Sequence, residues 1–416
     1  MSGAGLRSVE DQQARVIAAA SPLPASSRRL RDAAGSTLAA PVLARVDIPV
    51  FDNSAMDGFA VRYADAAAAA PGSPVVLRVV ADLPAGTALD PALAAGEAAR
   101  IMTGSPVPAD ADAIVPFEDT EAGLGGGLEP VAVVRPPRGV GAHIRRRGTD
   151  LRAGDVVIGA GERLGPFALS AAAAAGVEAV TVHERPRVAV VSTGTELAPP
   201  GADLRRGQIP ESNSVLLASL ARGADADVVM VESVDDSDAA FLDALSRARD
   251  AGAHVVITSG GVSAGAYEVV KNVLSRGGEV EFAKVAMQPG KPQAFGVLGD
   301  GALFFGLPGN PVSAAVSFET FVRPALLALQ GRRDLHRPLL RLQAATAWRT
   351  PPGRRQYLPA TIDRSDPARW RVAPASAGGS GSHLAGGLAH AEAYAIVAAD
   401  VGAVDVGDMV DVMLVT

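Results

Sequence analysis

The stretch Val255-Val256-Ile257-Thr258-Ser259-Gly260-Gly261-Val262-Ser263 decides the fold. Its first half is a short, uninterrupted run rich in β-branched residues. Its second half is a glycine turn, and the pattern beyond it predicts a helix over 267–276. A strand with no polar alternation is buried on both faces, as parallel strands in α/β proteins are. The same strand–turn–helix figure recurs on either side. Residues 188–191 end in Ser192-Thr193-Gly194 and lead to a helix over 212–222, with Ser and Asn at its start. Residues 228–231 precede a helix over 235–249. Residues 302–305 end in Leu307-Pro308-Gly309-Asn310-Pro311 before a helical stretch, 312–329, that is kinked or restarted at Pro324. Residues 185–331 are therefore read as an α/β domain with a mostly parallel sheet and helices on both faces. Its polar turns fall at the carboxyl ends of the strands, where such sheets bind ligands.

Working outward, the pattern changes on both sides. Residues 7–20 read as a short helix, 27–40 as a second one stopped by Pro41, and 44–50 as extended chain. Short β runs fill 51–137 (75–80, 97–101, 113–117 and 131–134), with Gly125-Gly126-Gly127 suited to a hairpin tip. A helix over 164–175 and a strand over 180–182 follow, so 138–184 is expected to pack back on 1–50 as one elongated, discontinuous domain around an inserted β domain. From 332 to 416 the runs 339–347, 356–362, 370–374, 393–397 and 409–414 predict a small C-terminal β barrel or sandwich. Four domains suit 416 residues, and 48% hydrophobic content suffices for several cores.

The formal net charge of −7 comes with no basic stripe, which argues against nucleic acid as a partner. The absence of cysteine excludes disulfides, thiolate metal sites and cysteine nucleophiles. Residues 1–16 are polar, and no uninterrupted apolar run has bilayer length, so the expectation is a soluble cytoplasmic protein without a membrane partner.

The turns carry the chemistry. In Ser259-Gly260-Gly261 the glycines let backbone N–H groups approach a phosphate, and the following helix start adds positive potential. A tight turn with no ligand has the same sequence. Pro308, Gly309, Asn310 and Pro311 form a rigid loop that can hold a planar heterocycle, or simply reverse the chain. Glu196, Asp235, Asp236 and Glu268 follow strands and can converge on one crevice, where a hard cation would bridge carboxylates and a substrate phosphate. Asp235 and Asp236 equally suit the start of a helix. Lys284 and Lys291 flank Gln288-Pro289-Gly290, as phosphate ligands or as ordinary surface lysines. In the N-terminal half, Asp52-Asn53-Ser54-Ala55-Met56-Asp57-Gly58 is a dense polar loop, and Thr103-Gly104 precedes Ser105-Pro106.

Taken in order, these motifs resemble one family, the molybdopterin molybdenumtransferases (the MoeA proteins and the E domain of gephyrin). The resemblance is carried by Pro49–Ala60 (PVFDNSAMDGFA), Ile101-Met102-Thr103-Gly104, Arg147-Gly148-Thr149-Asp150 and Ser192-Thr193-Gly194-Thr195-Glu196-Leu197. It continues through Ser259-Gly260-Gly261-Val262-Ser263, Pro289-Gly290-Lys291-Pro292 and Leu307-Pro308-Gly309-Asn310-Pro311-Val312-Ser313, and so spans nearly the whole chain. It implies an elongated four-domain subunit that dimerises, takes adenylyl-molybdopterin and molybdate, and releases AMP with the help of Mg²⁺. A molybdopterin adenylyltransferase is the implied partner. The implied site lies between the α/β domain of one subunit and the N-terminal and β domains of the other. Functional positions carried over are Asp57, Thr103, Asp150, Glu196, Asp235, Lys284, Pro308, Pro311, Arg354 and Ser382, with Glu196, Asp235 and Glu268 as the implied metal ligands. The chain departs from the family pattern at Glu268, where Asp is usual, at Gln288, where a lysine is usual, and loosely over 384–394. Two other readings stand beside this one: an adenylyltransferase, whose single domain resembles 186–331, and a non-catalytic pterin-binding scaffold.

Overall fold

The computed structural model describes residues 6–121, 123, 127–261, 269–274, 279–350, 352–376 and 385–415. Its centre is a six-stranded sheet in the order Asp227–Val234, Arg187–Thr193, Val255–Ser259, Leu303–Leu307, Pro292–Val297, Val280–Lys284. The first four strands are parallel, in the expected positions. The fifth runs antiparallel to the neighbours on both its sides, and neither it nor the sixth was foreseen. Alternate side chains of the central strands serve two cores. Val188, Val190, Val255 and Ile257 pack with the helix Asn213–Gly223 and the long apolar stretch Pro311–Leu329. Ala189 and Val256 pack on the other face with Asp238–Asp250 and Val269–Leu274. The sheet is therefore covered on both sides at its centre, which is why Arg187–Thr193, Val255–Ser259 and Leu303–Leu307 show no polar alternation.

The stretch Pro311–Leu329 is long and apolar enough to cross a membrane, but 94% of its most apolar window is buried inside the protein, as befits a core helix. It runs as helix Pro311–Ser317, a π-turn Phe318–Val322 and a second helix Arg323–Leu329. The restart falls one residue before Pro324, whose ring the first helical turn accommodates.

The helix Val9–Ala19, capped by the Ser8 hydroxyl on the Asp11 N–H at 3.0 Å, docks Val9 and Val16 into this central core. The expected helix over 27–40 does not form. Ala25–Arg29 is instead a strand, antiparallel to Ala179–His183, followed by a single 3-10 turn, Leu30–Asp32. Pairing with distant chain overrode local spacing there, and Ala33, Leu38, Leu164, Ala172, Val180 and Val182 form one core across the sequence break. Between the two halves lies a five-stranded sheet in the order Ala113–Pro116, Gly58–Val61, Glu97–Ile101, Val75–Leu83, Val131–Val133, with a core on each face. The C-terminal strands Arg355–Asp363, Arg371–Pro374, Leu339–Ala344, Met409–Leu414 and Ala393–Val397 close on themselves through the pairing of the first with the last, giving the barrel. The proposed hairpin tip at 125–127 lies largely outside the described residues.

A charged node ties three regions together. Asp225, in the left-handed region at φ 58°, receives both Nε and Nη2 of Arg163 at 2.9 Å and Nη2 of Arg332 at 2.6 Å. Burial pushes its carboxyl up, but the two guanidinium hydrogen bonds outweigh that and hold it below the ordinary 3.8. Asparagine tolerates the same backbone angle, so Asp225→Asn isolates the charge. It is expected to cost about 1–2 kcal/mol at neutral pH, the scale of a half-exposed charge-assisted pair. A depressed folded pKa stabilises fully above the unfolded value and stops doing so as pH falls through the lowered one. The gap between wild type and variant in urea midpoints should therefore persist at pH 6 and close below the ordinary 3.8.

Candidate active site

Three turns converge at the carboxyl end of the parallel strands. Gly260, at φ 93°, follows Ser259, and a Cβ there would stand 2.5 Å from the Thr193 carbonyl oxygen, so only glycine fits between the first and second turns. The Gly260 N–H donates to the Leu307 carbonyl at 3.1 Å, joining the second turn to the third. Gly309 packs so closely that its own Cβ would lie 3.6 Å from the Gly260 Cα. Pro308, Gly309 and Asn310 then lead into the helix at Pro311, whose missing N–H costs nothing at that position.

Beneath these turns lies a residue that sequence reasoning missed. Glu211 is only 5% exposed, and its carboxylate accepts hydrogen bonds from the Ser192 hydroxyl and the Ser214 N–H, each at 2.8 Å, and from the Ser214 hydroxyl. Ser212 occupies the N-cap position expected from sequence, but its side chain makes no capping bond, because Glu211 already serves the Ser214 N–H. Asn213 donates from Nδ2 to the Gly309 carbonyl at 2.7 Å.

The acidic residues are only partly gathered. Glu196 and Asp235 follow the paired strands Arg187–Thr193 and Asp227–Val234, whose ends meet in register at Thr193 and Val234. Asp235 is not the helix cap. Its Oδ1 accepts the Ser237 hydroxyl at 2.6 Å and the Ser237 N–H at 3.0 Å, and Ser237 caps the helix through Ala240. Those two bonds hold the Asp235 carboxyl below its usual range, the hydroxyl being the larger influence. Asp236 is used by Thr195, whose N–H and hydroxyl both reach its Oδ2. Glu196 folds its carboxylate back over Gly194. Glu268 and Ser382 lie outside the described residues. Among the described residues no three His, Asp or Glu side chains converge in a cation site, so the implied three-carboxylate set is not assembled by them. Glu196 and Asp235 remain as two carboxylates at adjacent strand ends, a donor set suited to a hard cation that keeps much of its water.

A cationic corner adjoins the third turn. The pairing of Gly306 with Ala294 brings Lys291 to the sheet end that carries Pro308. Gly290 is clamped against the helix at Pro311 by Gln293, whose Nε2 donates to the Gly290 carbonyl at 2.6 Å and to the Ser317 hydroxyl at 2.7 Å. Met287–Gln288 pairs in parallel with Arg355–Gln356 of the barrel, which seats Arg354 beside this loop. Lys284, Lys291 and Arg354 thus border one seam between the α/β domain and the barrel. Gln288, where the family pattern has lysine, presents a buried Oε1 with no hydrogen-bond partner among the described residues.

Asp57, Thr103 and Asp150 lie outside the α/β domain, on loops next to the strands Gly58–Val61, Glu97–Ile101 and Ile144–Arg145. The two cores of the inserted domain include no residue of the α/β domain. Asp57 Oδ1 accepts from both the Thr103 N–H and its hydroxyl at 2.7 Å, and these bonds leave Oδ2 unengaged by Thr103. These bonds, the backbone one first, hold its carboxyl below the ordinary 3.8. Gly58 must be glycine, since a Cβ would sit 2.1 Å from the Val115 carbonyl oxygen across the sheet. The loop is fastened to 146–150 by Asp52, which accepts the Arg147 N–H at 2.7 Å and Arg146 Nη1 at 2.6 Å. The Asp150 N–H donates to the Ile48 carbonyl at 3.0 Å, while its side chain is exposed.

Three family models match the chain in succession: the MoeA N-terminal region (domain I and II) over 7–176, a probable molybdopterin binding domain over 189–328, and the MoeA C-terminal region (domain IV) over 341–415. Molybdopterin molybdenumtransferase 2 of Mycobacterium tuberculosis is 46% identical over 86% of this chain and 88% of its own length. Molybdopterin molybdenumtransferase 1 of the same organism is 36% identical over 98% of each. A solved structure of the molybdopterin biosynthesis MoeA protein from Pyrococcus horikosii superposes with a TM-score of 0.80 at 29% identity, covering 99% of both chains.

Proposed function

The chain belongs to the molybdopterin molybdenumtransferase (MoeA) family and acts in molybdenum cofactor biosynthesis, and on that premise we propose that it inserts molybdenum from molybdate into adenylyl-molybdopterin and releases AMP. The observation that carries this reading is the convergence of the turns at 193–196, 259–261 and 307–311 beside Lys284, Lys291 and Arg354. Backbone N–H groups of the glycine turn and the start of the long helix suit the pterin phosphate and the adenylate. Molybdate is a hard oxyanion, so the cationic corner is its place, with Arg354, Lys284 and Ser382 as ligands. Glu196 and Asp235, with Glu268, would hold Mg²⁺, which neutralises charge on the diphosphate when bound. Asp57 orients or activates the attacking oxygen through Oδ2, the oxygen that Thr103 does not use.

Because Asp57 lies in a domain with its own cores, the reading includes a homodimer in which one subunit supplies the crevice and its partner supplies Asp57. An apolar surface on the elongated domain supports this: Leu43 and Val156 face out as a registered pair, and Phe167 is 92% exposed. A cytoplasmic location and supply of the adenylylated substrate by a molybdopterin adenylyltransferase complete the proposal.

The test is AMP release measured by chromatography. AMP should appear only when adenylyl-molybdopterin, molybdate and Mg²⁺ are all present, and a chelator should stop it. Equal release without molybdate contradicts the reading. Restoring the missing charge with Gln288→Lys is expected to lower the KM for molybdate by about 3–10-fold at low salt, less at high salt. Initial rates at two ionic strengths check this.

A further inference from the structure

We propose that Glu211 and Asn213 are positioning residues that fix the spacing between the two glycine turns, each through its own hydrogen-bonded branch. The inference concerns the crevice assigned above and rests on that assignment only for what the spacing serves.

The first branch begins at Glu211. Because the Ser192 hydroxyl donates to this carboxylate, its oxygen is left to accept from the Ser259 hydroxyl at 3.1 Å. Ser259 is the last residue before Gly260. A relay Ser259→Ser192→Glu211 therefore runs from the second turn to the head of the helix Asn213–Gly223. The second branch is the Asn213 Nδ2 donation to the Gly309 carbonyl. Asn213 Oδ1 is buried with no hydrogen-bond partner among the described residues, so the side chain is held there for its donor alone. The helix that carries both branches is seated in the core by Leu217, Ala218 and Ala221, each 3% exposed or less. Two residues at the head of one rigid element thus reach two different turns.

Burying a carboxylate is costly unless donors surround it. Helix capping alone does not require it, since Ser212 already occupies the N-cap position with a side chain able to do that work. What the buried carboxylate adds is the link to Ser192 and onward to Ser259. Among the described residues the turns meet where Ser259 pairs with Leu307, through the Gly260 N–H to Leu307 bond and through the packing of Gly309 on Gly260, and the bracket behind them holds the phosphate-facing N–H groups and the proline loop at a fixed separation beyond that pairing.

The test uses the full chain and hydrogen–deuterium exchange read by mass spectrometry. Ser192→Ala and Glu211→Ala cut the first branch, and Asn213→Ala cuts the second. Each should speed exchange about tenfold in its own turn, the peptide with Gly260 in the first case and that with Gly309 in the second, leaving the other turn unchanged. Both classes should also raise the KM for adenylyl-molybdopterin about fivefold or more while kcat stays within about threefold. Faster exchange confined to the helix Asn213–Gly223, or spread equally over all strands, overturns the proposal and leaves a capping role. Turn-selective exchange with an unchanged KM overturns the claim that the spacing serves binding. A wild-type chain that releases no AMP removes the functional assignment, while the exchange result still decides the bracket.

Discussion

Asp57→Asn is expected to lower the molybdate-dependent rate of AMP release by about 100-fold or more, with the KM for adenylyl-molybdopterin changed by less than about threefold. The substitution is nearly isosteric. An asparagine Oδ1 can still accept the Thr103 N–H and hydroxyl, so the loop stays in place and only the carboxylate charge is lost. The native carboxyl is held below 3.8 by the Thr103 N–H and then its hydroxyl, so it is ionised throughout the working range. The wild-type pH–rate profile should therefore show no limb from Asp57 between about pH 5 and 8, and acid should remove its contribution only below its ordinary value. A variant with full kcat would show that Asp57 neither orients nor activates the attacking group.

Gly260→Ala is expected to raise the KM for adenylyl-molybdopterin at least about tenfold and to cost about 2–4 kcal/mol of stability. Two effects add. At φ 93° an L residue is strained, and the new Cβ would lie 2.5 Å from one backbone oxygen and 2.9 Å from the Thr193 hydroxyl. The turn must move, and the Gly260 N–H then loses Leu307. Gly207 separates the two effects. It has φ 91° but nothing within 4 Å of its missing Cβ, so Gly207→Ala should show the strain without the change in KM. Urea denaturation and initial rates on both variants check this.

Much of this was legible in the sequence where local chemistry and tertiary role coincide. The strands Arg187–Thr193, Val255–Ser259 and Leu303–Leu307 are buried on both faces, so their composition announces them, and the turns at their ends could be placed from glycine and proline alone. What was hidden depends on distant pairing. Val280–Lys284 carries charges at both 281 and 284 and is a strand only because Pro292–Val297 pairs with it. Ser27 and Arg28 read as helical until Thr181 and Val180 lie opposite them. Within the site, the glycine turns, the lysines and the Asp57 loop were visible as motifs, and the resemblance supplied their chemistry. Glu211 was not, because an acid before an N-cap serine looks like a surface residue until Ser192, 19 positions earlier, is folded onto it.

The central claim is that the α/β crevice of one subunit works with Asp57 of its partner, and mixed dimers test it most directly. Asp57→Asn and Gly260→Ala chains, each at about a tenth of the wild-type rate or less when assayed at substrate well below the wild-type KM, should form heterodimers with one intact site when co-expressed. Random assortment then predicts about a quarter of wild-type molybdate-dependent AMP release. Release no greater than the sum of the two variants measured separately would contradict the account.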